Sequence, residues 1–116
     1  MPPPEEADRV RIGHLRDAAV KAIAFASGRS RMDLDDDELL RLALTKLVEI
    51  VGEAAKQVTE PTRSRYAAVP WSAAARTRDR LVHHYFDIDL DILWATITED
   101  LPALLAALDE ASVNRP

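Results

Sequence analysis

Where proline is missing constrains this chain more than where it stands. The seven prolines occupy positions 2, 3, 4, 61, 70, 102 and 116, so residues 5–60 and 71–101 contain none. Proline removes a backbone donor and clashes with the preceding turn, so its absence leaves room for long helices. The three glycines, at 13, 28 and 52, add few further breaks. Abundant Ala and Leu favour helix throughout. The expected fold class is all-α, an antiparallel bundle of four to five helices.

Apolar spacing places those helices. Ile12, Leu15, Ala19, Ile23 and Ala26 recur every three or four residues, which predicts a helix from about Ala7 to Ala26, stopped by Gly28. Ser30 to Asp37 is expected as a polar connection. A second helix is predicted from about Asp36 to Val58, with the seam Leu40, Leu44, Leu47, Val51 and Ala54. Asp35 is the expected cap, with Glu38 at the capping-box offset. The acids from Asp33 to Glu38 suit a helix start. They lack the spaced ligands and central glycine of a calcium loop. Glu60 to Trp71 is expected as a connection, and Ser72 as the cap of a short third helix from Ala73 to about His83. A last helix from about Asp89 to Leu108 carries Leu90, Trp94, Ile97, Leu101, Leu104 and Leu108, with a kink or a brief break expected at Pro102. The second and fourth seams are long enough for a core and for a dimer interface, and the sequence does not divide those uses.

The 116 residues suit one domain, with no internal repeat. Residues 1–6 are expected as a disordered tail, 7–112 as the folded domain and 113–116 as a C-terminal tail. The absence of cysteine excludes disulfides, Cys-type zinc sites and a thiol nucleophile. A formal charge of −5 argues against a generally basic nucleic-acid binder, so any RNA contact must use a local patch. The opening MPPPEEADR lacks the basic-then-apolar pattern of a secretion signal, and no apolar run is long enough to span a membrane. A cytoplasmic location is expected.

One segment stands apart, Thr77-Arg78-Asp79-Arg80-Leu81-Val82-His83-His84-Tyr85-Phe86-Asp87. With Arg76 it gathers three arginines within five residues, two of the three histidines and one of the two tyrosines. Arginine binds phosphate bidentately and stays charged. Histidine suits proton transfer near neutral pH. Cleaving RNA without a metal needs such groups: one to take the 2′-OH proton, one to protonate the leaving 5′ oxygen, and a cation for the charged transition state. On an unbroken helix, Arg78 and Tyr85 lie about 20° apart but Arg78 and His83 about 140° apart. Either the helix ends near His83, or a symmetric dimer completes the site across its two-fold axis. A plainer account also fits: Arg78 and Arg80 pair with surface acids while His83 and Tyr85 fill a helix junction.

The pattern Arg78-x4-His83-x-Tyr85 resembles the R-x4-H-x-Y signature of HEPN-domain toxins, and the nearest group is the HepT toxins of HEPN–MNT toxin–antitoxin pairs. Ile50 to Lys56 is similar to that family's I-x-G-E-A-A-K stretch. Pro70-Trp71, the run from Tyr85 to Asp91 followed by Trp94, and Asp100-Leu101-Pro102 resemble it too. The resemblance covers about residues 7 to 109. Arg76 stands where a small residue is usual, Thr77 replaces an apolar one, Met32 falls where Phe is frequent, and Asp79 replaces the commoner Asn.

The resemblance implies a homodimeric HEPN fold and a metal-independent endoribonuclease, the toxin of a type VII-like system, with no cofactor. It implies an MNT-type nucleotidyltransferase antitoxin that transfers AMP to the motif tyrosine, here Tyr85. Arg78 is then expected to hold the scissile phosphate and His83 to act as general acid or base. Asp79 would orient Arg78 or a water, and Glu53 would face the motif and pair with Arg78. Arg76, Arg80 and His84 are the candidate RNA contacts. His14 reads as a boundary residue without metal-ligand spacing. Trp71 and Trp94 read as core or interface anchors, and Gly52 as a point of close helix approach. Two other readings compete: a non-catalytic helical dimer serving as the binding subunit of a nucleotidyltransferase, and a plain structural bundle.

Overall fold

The computed structural model describes residues 4–84 and 87–113; the side chains of Pro4, His83, His84, Ser112 and Val113 are outside the description. Among the described residues the fold is all-α apart from one short hairpin. Helix α1 (Pro4–Ala26) lies along α3 (Glu38–Gln57), with the short α2 (Asp33–Asp36) between them in sequence. The short helices α4 (Glu60–Arg65), α5 (Trp71–Ala75) and α6 (Thr77–Leu81) follow. Strands β1 (Val82–His84) and β2 (Asp87–Ile88) pair antiparallel. Helix α7 (Leu90–Ala95) then runs through a π turn (Thr96–Asp100) into α8 (Leu101–Val113).

The apolar seams make the core. Leu40, Leu44, Leu47, Val51 and Ala54 of α3 are all buried, packed with Leu15, Ala18, Ala19 and Ala22 of α1 and with Leu93, Ile97, Leu101, Leu104 and Leu108 of the last helices. Alanines on α1 let its backbone lie close to α3. Trp71 is buried and donates from its indole nitrogen to the Tyr66 carbonyl at 3.1 Å. Trp94 is only partly buried against the core.

Several local expectations are corrected. Helix α1 begins at Pro4, taking in residues 4–6 expected as tail; proline in a first turn gives up no helical hydrogen bond. The Ser30–Asp37 connection contains a helical turn, which absorbs Asp35. The cap of α3 is therefore Asp37, whose carboxylate accepts the Leu40 N–H at 3.0 Å. The bond from Arg29, and then that from Leu40, hold the Asp37 pKa below the usual carboxylate value. Glu38 is thereby the first residue of α3. The Glu60–Trp71 connection contains α4, and its Arg63 donates to the Val58 and Ala55 carbonyls, closing the end of α3. Ser72 lies inside α5 and caps nothing. The single third helix is divided at Arg76, and its second half ends at Leu81. The break expected at Pro102 lies just before it, as a π turn in which the Leu101 N–H reaches the Thr96 carbonyl. Gly28 has φ 76°, the left-handed conformation of a helix stop.

A second polar junction ties α1 to α4. Asp8 is 2% exposed. It accepts the Thr59 N–H at 2.9 Å and the hydroxyls of Thr59 and Thr62. Arg16 pairs with Asp109 and Arg65 with Glu5 around it.

Candidate active site

Arg78 is placed by a chain of close contacts. At Gly52, in the C-terminal third of α3, an added Cβ would meet Thr77 Oγ1 at 3.1 Å and the Ala75 carbonyl at 3.5 Å. Glycine therefore lets the α5–α6 junction rest directly on α3. Thr77 is buried and donates its hydroxyl to the Ala74 carbonyl at 2.9 Å, so an uncommon residue at this point satisfies itself locally. Arg78 follows, anchored through its backbone and turned outward.

It emerges in an open groove of about 660 Å³ between α3 and the hairpin. Arg41, Leu42, Thr45, Lys46 and Glu49 of α3 form one wall, and Arg78, Val82, Asp87, Ile88 and Leu90 the other. Arg41 is committed elsewhere, donating to the Leu34 carbonyl at 2.7 Å. Lys46 is exposed and makes no ion pair among the described residues. Arg78 is 45% exposed, with Nε 3.9 Å from Glu49 Oε1 and Nη1 4.0 Å from Asp79 Oδ1. Both separations are too long for hydrogen bonds. The guanidinium thus feels two carboxylates without spending its donors on either.

The helix stops one turn after Arg78. Val82 is extended (φ −102°, ψ 108°), and the Asp89 N–H closes the hairpin on the Leu81 carbonyl at 2.8 Å. Val82 pairs with Ile88 and His84 with Asp87, so His83 is an extra residue on β1 with no counterpart on β2. Such bulges re-aim a side chain and recur beside active sites. The helical angle of about 140° between Arg78 and His83 no longer applies. The side chains of His83 and His84, and the whole of Tyr85, lie outside the described residues. Asp89 caps α7, accepting the Ile92 N–H at 3.0 Å.

Other expectations about the site divide. Glu53 does not face Arg78: it is exposed and lies 3.7 Å from Lys56, and Glu49, one turn earlier on α3, is the residue beside the arginine. Asp79 does stand next to Arg78. Arg76 and Arg80 are exposed but do not line the groove, and Arg80 lies 3.5 Å from Asp100. His14 lines an adjoining shallow pocket between α1 and α3, which shares Lys46 and Glu49 with the groove. Among the described residues, no three His, Cys, Asp or Glu side chains converge where a metal could be held. None of the described helices is long and apolar enough to cross a membrane. Asp8 and Glu49 are not among the residues the sequence patterns single out. Asp8 carried a signal, since it stands four residues before Ile12 on the apolar stripe of α1.

The fold and groove define a helical-bundle domain with an under-committed arginine beside a helix-to-strand break. The chain belongs to the HepT-like ribonuclease family: residues 15–111 match the family described as "Ribonuclease HepT-like". Among curated relatives, it is 38% identical over 68 residues to "Probable ribonuclease HepT" of Thermococcus cleftensis, covering 59% of this chain and 62% of that protein. It is 33% identical over 96 residues to a protein named "Putative RNase" from Caldanaerobacter subterraneus subsp. tengcongensis, covering 83% and 86%. A third, also named "Putative RNase", from Methanocaldococcus jannaschii, is 35% identical over 83 residues, covering 67% and 69%. No solved structure matches.

Proposed function

We propose that this protein is a metal-independent endoribonuclease, the toxin of a HEPN–MNT toxin–antitoxin pair. The observation that carries this reading is the groove. It holds a cationic Arg78 whose donors are unspent, on the last turn of a helix that gives way to a bulged His83. Arg78 binds the scissile phosphate and stabilises the charge that grows on it. His83 moves the proton, to or from the 2′-OH or the leaving 5′ oxygen. Asp79 restrains Arg78 from its own helix. A groove of this size accommodates a nucleotide or two of single-stranded RNA.

Two copies work together in this reading. The α3 seam is consumed by the core, but Leu39 is 81% and Leu42 58% exposed, and Leu42 lines the groove. Bare leucines beside a charged groove suit a second copy packed across it. Tyr85, two residues after His83, is the acceptor of AMP that an MNT-type antitoxin transfers from ATP, the tyrosine oxygen displacing pyrophosphate from the α-phosphorus. A bulky anion there would occupy the phosphate site and cancel its charge.

The test is RNA cleavage in chelator by purified protein, with intact mass verifying an unmodified Tyr85, beside His83→Ala. Cleavage by the wild type alone supports the reading. An inert, unmodified wild type across tRNA and mRNA favours the non-catalytic binding subunit. Incubation with an MNT-type nucleotidyltransferase and ATP should add adenylyl mass and stop cleavage. In a Tyr85→Phe variant that mass should not appear.

A further inference from the structure

We infer that Glu49 is a positioning residue that holds Arg78 ready for the scissile phosphate. The inference rests on the reading of the groove as an RNA-cleaving site.

Arg78 has a long, flexible side chain and is nearly half exposed. Asp79 restrains it only from its own short helix. Glu49 comes from a different element, the long and well-packed α3. Its side chain is 32% exposed, less than the 57% of Asp79, and sits within the groove. At 3.9 Å from Nε, its carboxylate fixes the direction of the guanidinium but leaves the N–H groups for a phosphate. A shorter bidentate pair would consume those donors and would have to break before RNA could bind. Lys46 and Arg41, one and two turns back on α3, line the same groove and offset the repulsion that Glu49 would exert on an incoming phosphate. Gly52 stands three residues after Glu49 and holds the α5–α6 junction against α3. The spacing between Glu49 and Arg78 is therefore set by backbone contact.

The experiment measures kcat and KM for RNA cleavage in chelator for wild type, Glu49→Gln, Glu49→Asp and Glu53→Gln, each verified as folded by thermal melting. Glu49→Gln keeps the size and removes the charge. It should lower kcat about tenfold or more without raising KM, because orientation is lost while a negative charge leaves the groove. Glu49→Asp should recover part of kcat. In an Arg78→Lys background, Glu49→Gln should have almost no further effect, as expected of a residue acting through Arg78. An unchanged kcat in Glu49→Gln, a full additional loss in the Arg78→Lys background, or a larger loss in Glu53→Gln would each overturn the assignment while leaving the ribonuclease reading intact. A wild type that cleaves no RNA would overturn both.

Discussion

Two charged groups in this molecule are held in opposite ways. Asp8 is sealed between α1 and α4 and accepts three hydrogen bonds. Arg78 stands in an open groove with its nearest carboxylates at 3.9 and 4.0 Å. A buried charge must be saturated, because an unmatched one costs several kcal/mol. An exposed charge kept for a ligand must remain unsaturated, since donors spent inside the protein cannot bind phosphate. The contrast separates charge that holds the fold from charge reserved for chemistry, and it can be broken by substitution at either place.

The largest effect is expected at Arg78. Arg78→Ala should lower RNA cleavage by roughly 10²- to 10³-fold, the range for losing a key transition-state donor. Its melting temperature should move by less than about 2 °C, since exposed ion pairs contribute little to stability. Cleavage assays and melting curves on one preparation check both halves. A large stability loss with cleavage intact would assign Arg78 to the fold and erase the contrast.

Asp8 should respond in the reverse sense. Asp8→Ala strands the Thr59 N–H and two hydroxyls and should cost about 2–3 kcal/mol of unfolding free energy. For a domain of this size that is a fall of roughly 10 °C in Tm. The folded fraction should retain cleavage within about twofold, as sites without shared partners act independently. Urea unfolding followed by circular dichroism gives the first number, and an assay below the transition gives the second.

A smaller, pH-dependent effect follows from the same carboxylate. Burial by itself would raise the Asp8 pKa, but the bonds from Thr59 and Thr62 together bring it below the ordinary 3.8. The unfolded chain therefore takes up the proton at a higher pH than the folded chain does. The stabilisation is fully present above the ordinary value and is lost as pH falls through the lower folded value. The stability gap between wild type and Asp8→Asn should thus narrow progressively as pH falls through and below 3.8. A gap that widens with acid would reverse the assigned direction of the shift.

The parts legible in the sequence were those set by long periodic patterns. The seams of α1, α3 and α8 and the stop at Gly28 follow from spacing that repeats over several turns. Choices among near-equivalent neighbours were not legible. Asp33, Asp35, Asp36 and Asp37 are all plausible caps, and the helical turn of α2 selects Asp37. Glu49 and Glu53 share one face of α3, and only the docking of α6 decides which meets Arg78. The break at Arg76 involves neither proline nor glycine. Trp71 and Thr77, on either side of it, are both buried, and Thr77 bonds back across it to the Ala74 carbonyl. The cluster from Arg78 to Tyr85 stood out by composition, whereas the bulge at His83 depends on a pairing between segments that no local pattern announces.

The finest test of the contrast lies at Gly52, which belongs to the fold but sets the spacing of the groove. An alanine there gains up to about 1 kcal/mol of helix propensity on α3. Its Cβ would stand 3.1 Å from Thr77 Oγ1, so α6 must yield by a few tenths of an ångström. The two effects oppose each other, and the net change in stability should stay within about 1 kcal/mol. The displacement falls on the residue before Arg78, and kcat should fall several-fold, since sub-ångström errors in orientation are costly. Thr77→Ala removes the opposing oxygen, so the double variant Gly52→Ala/Thr77→Ala should recover kcat relative to Gly52→Ala alone. Failure of that rescue, with both variants folded, would mean that the groove tolerates movement of α6. The separation of Arg78 from α3 would then matter less than the presence of its charge.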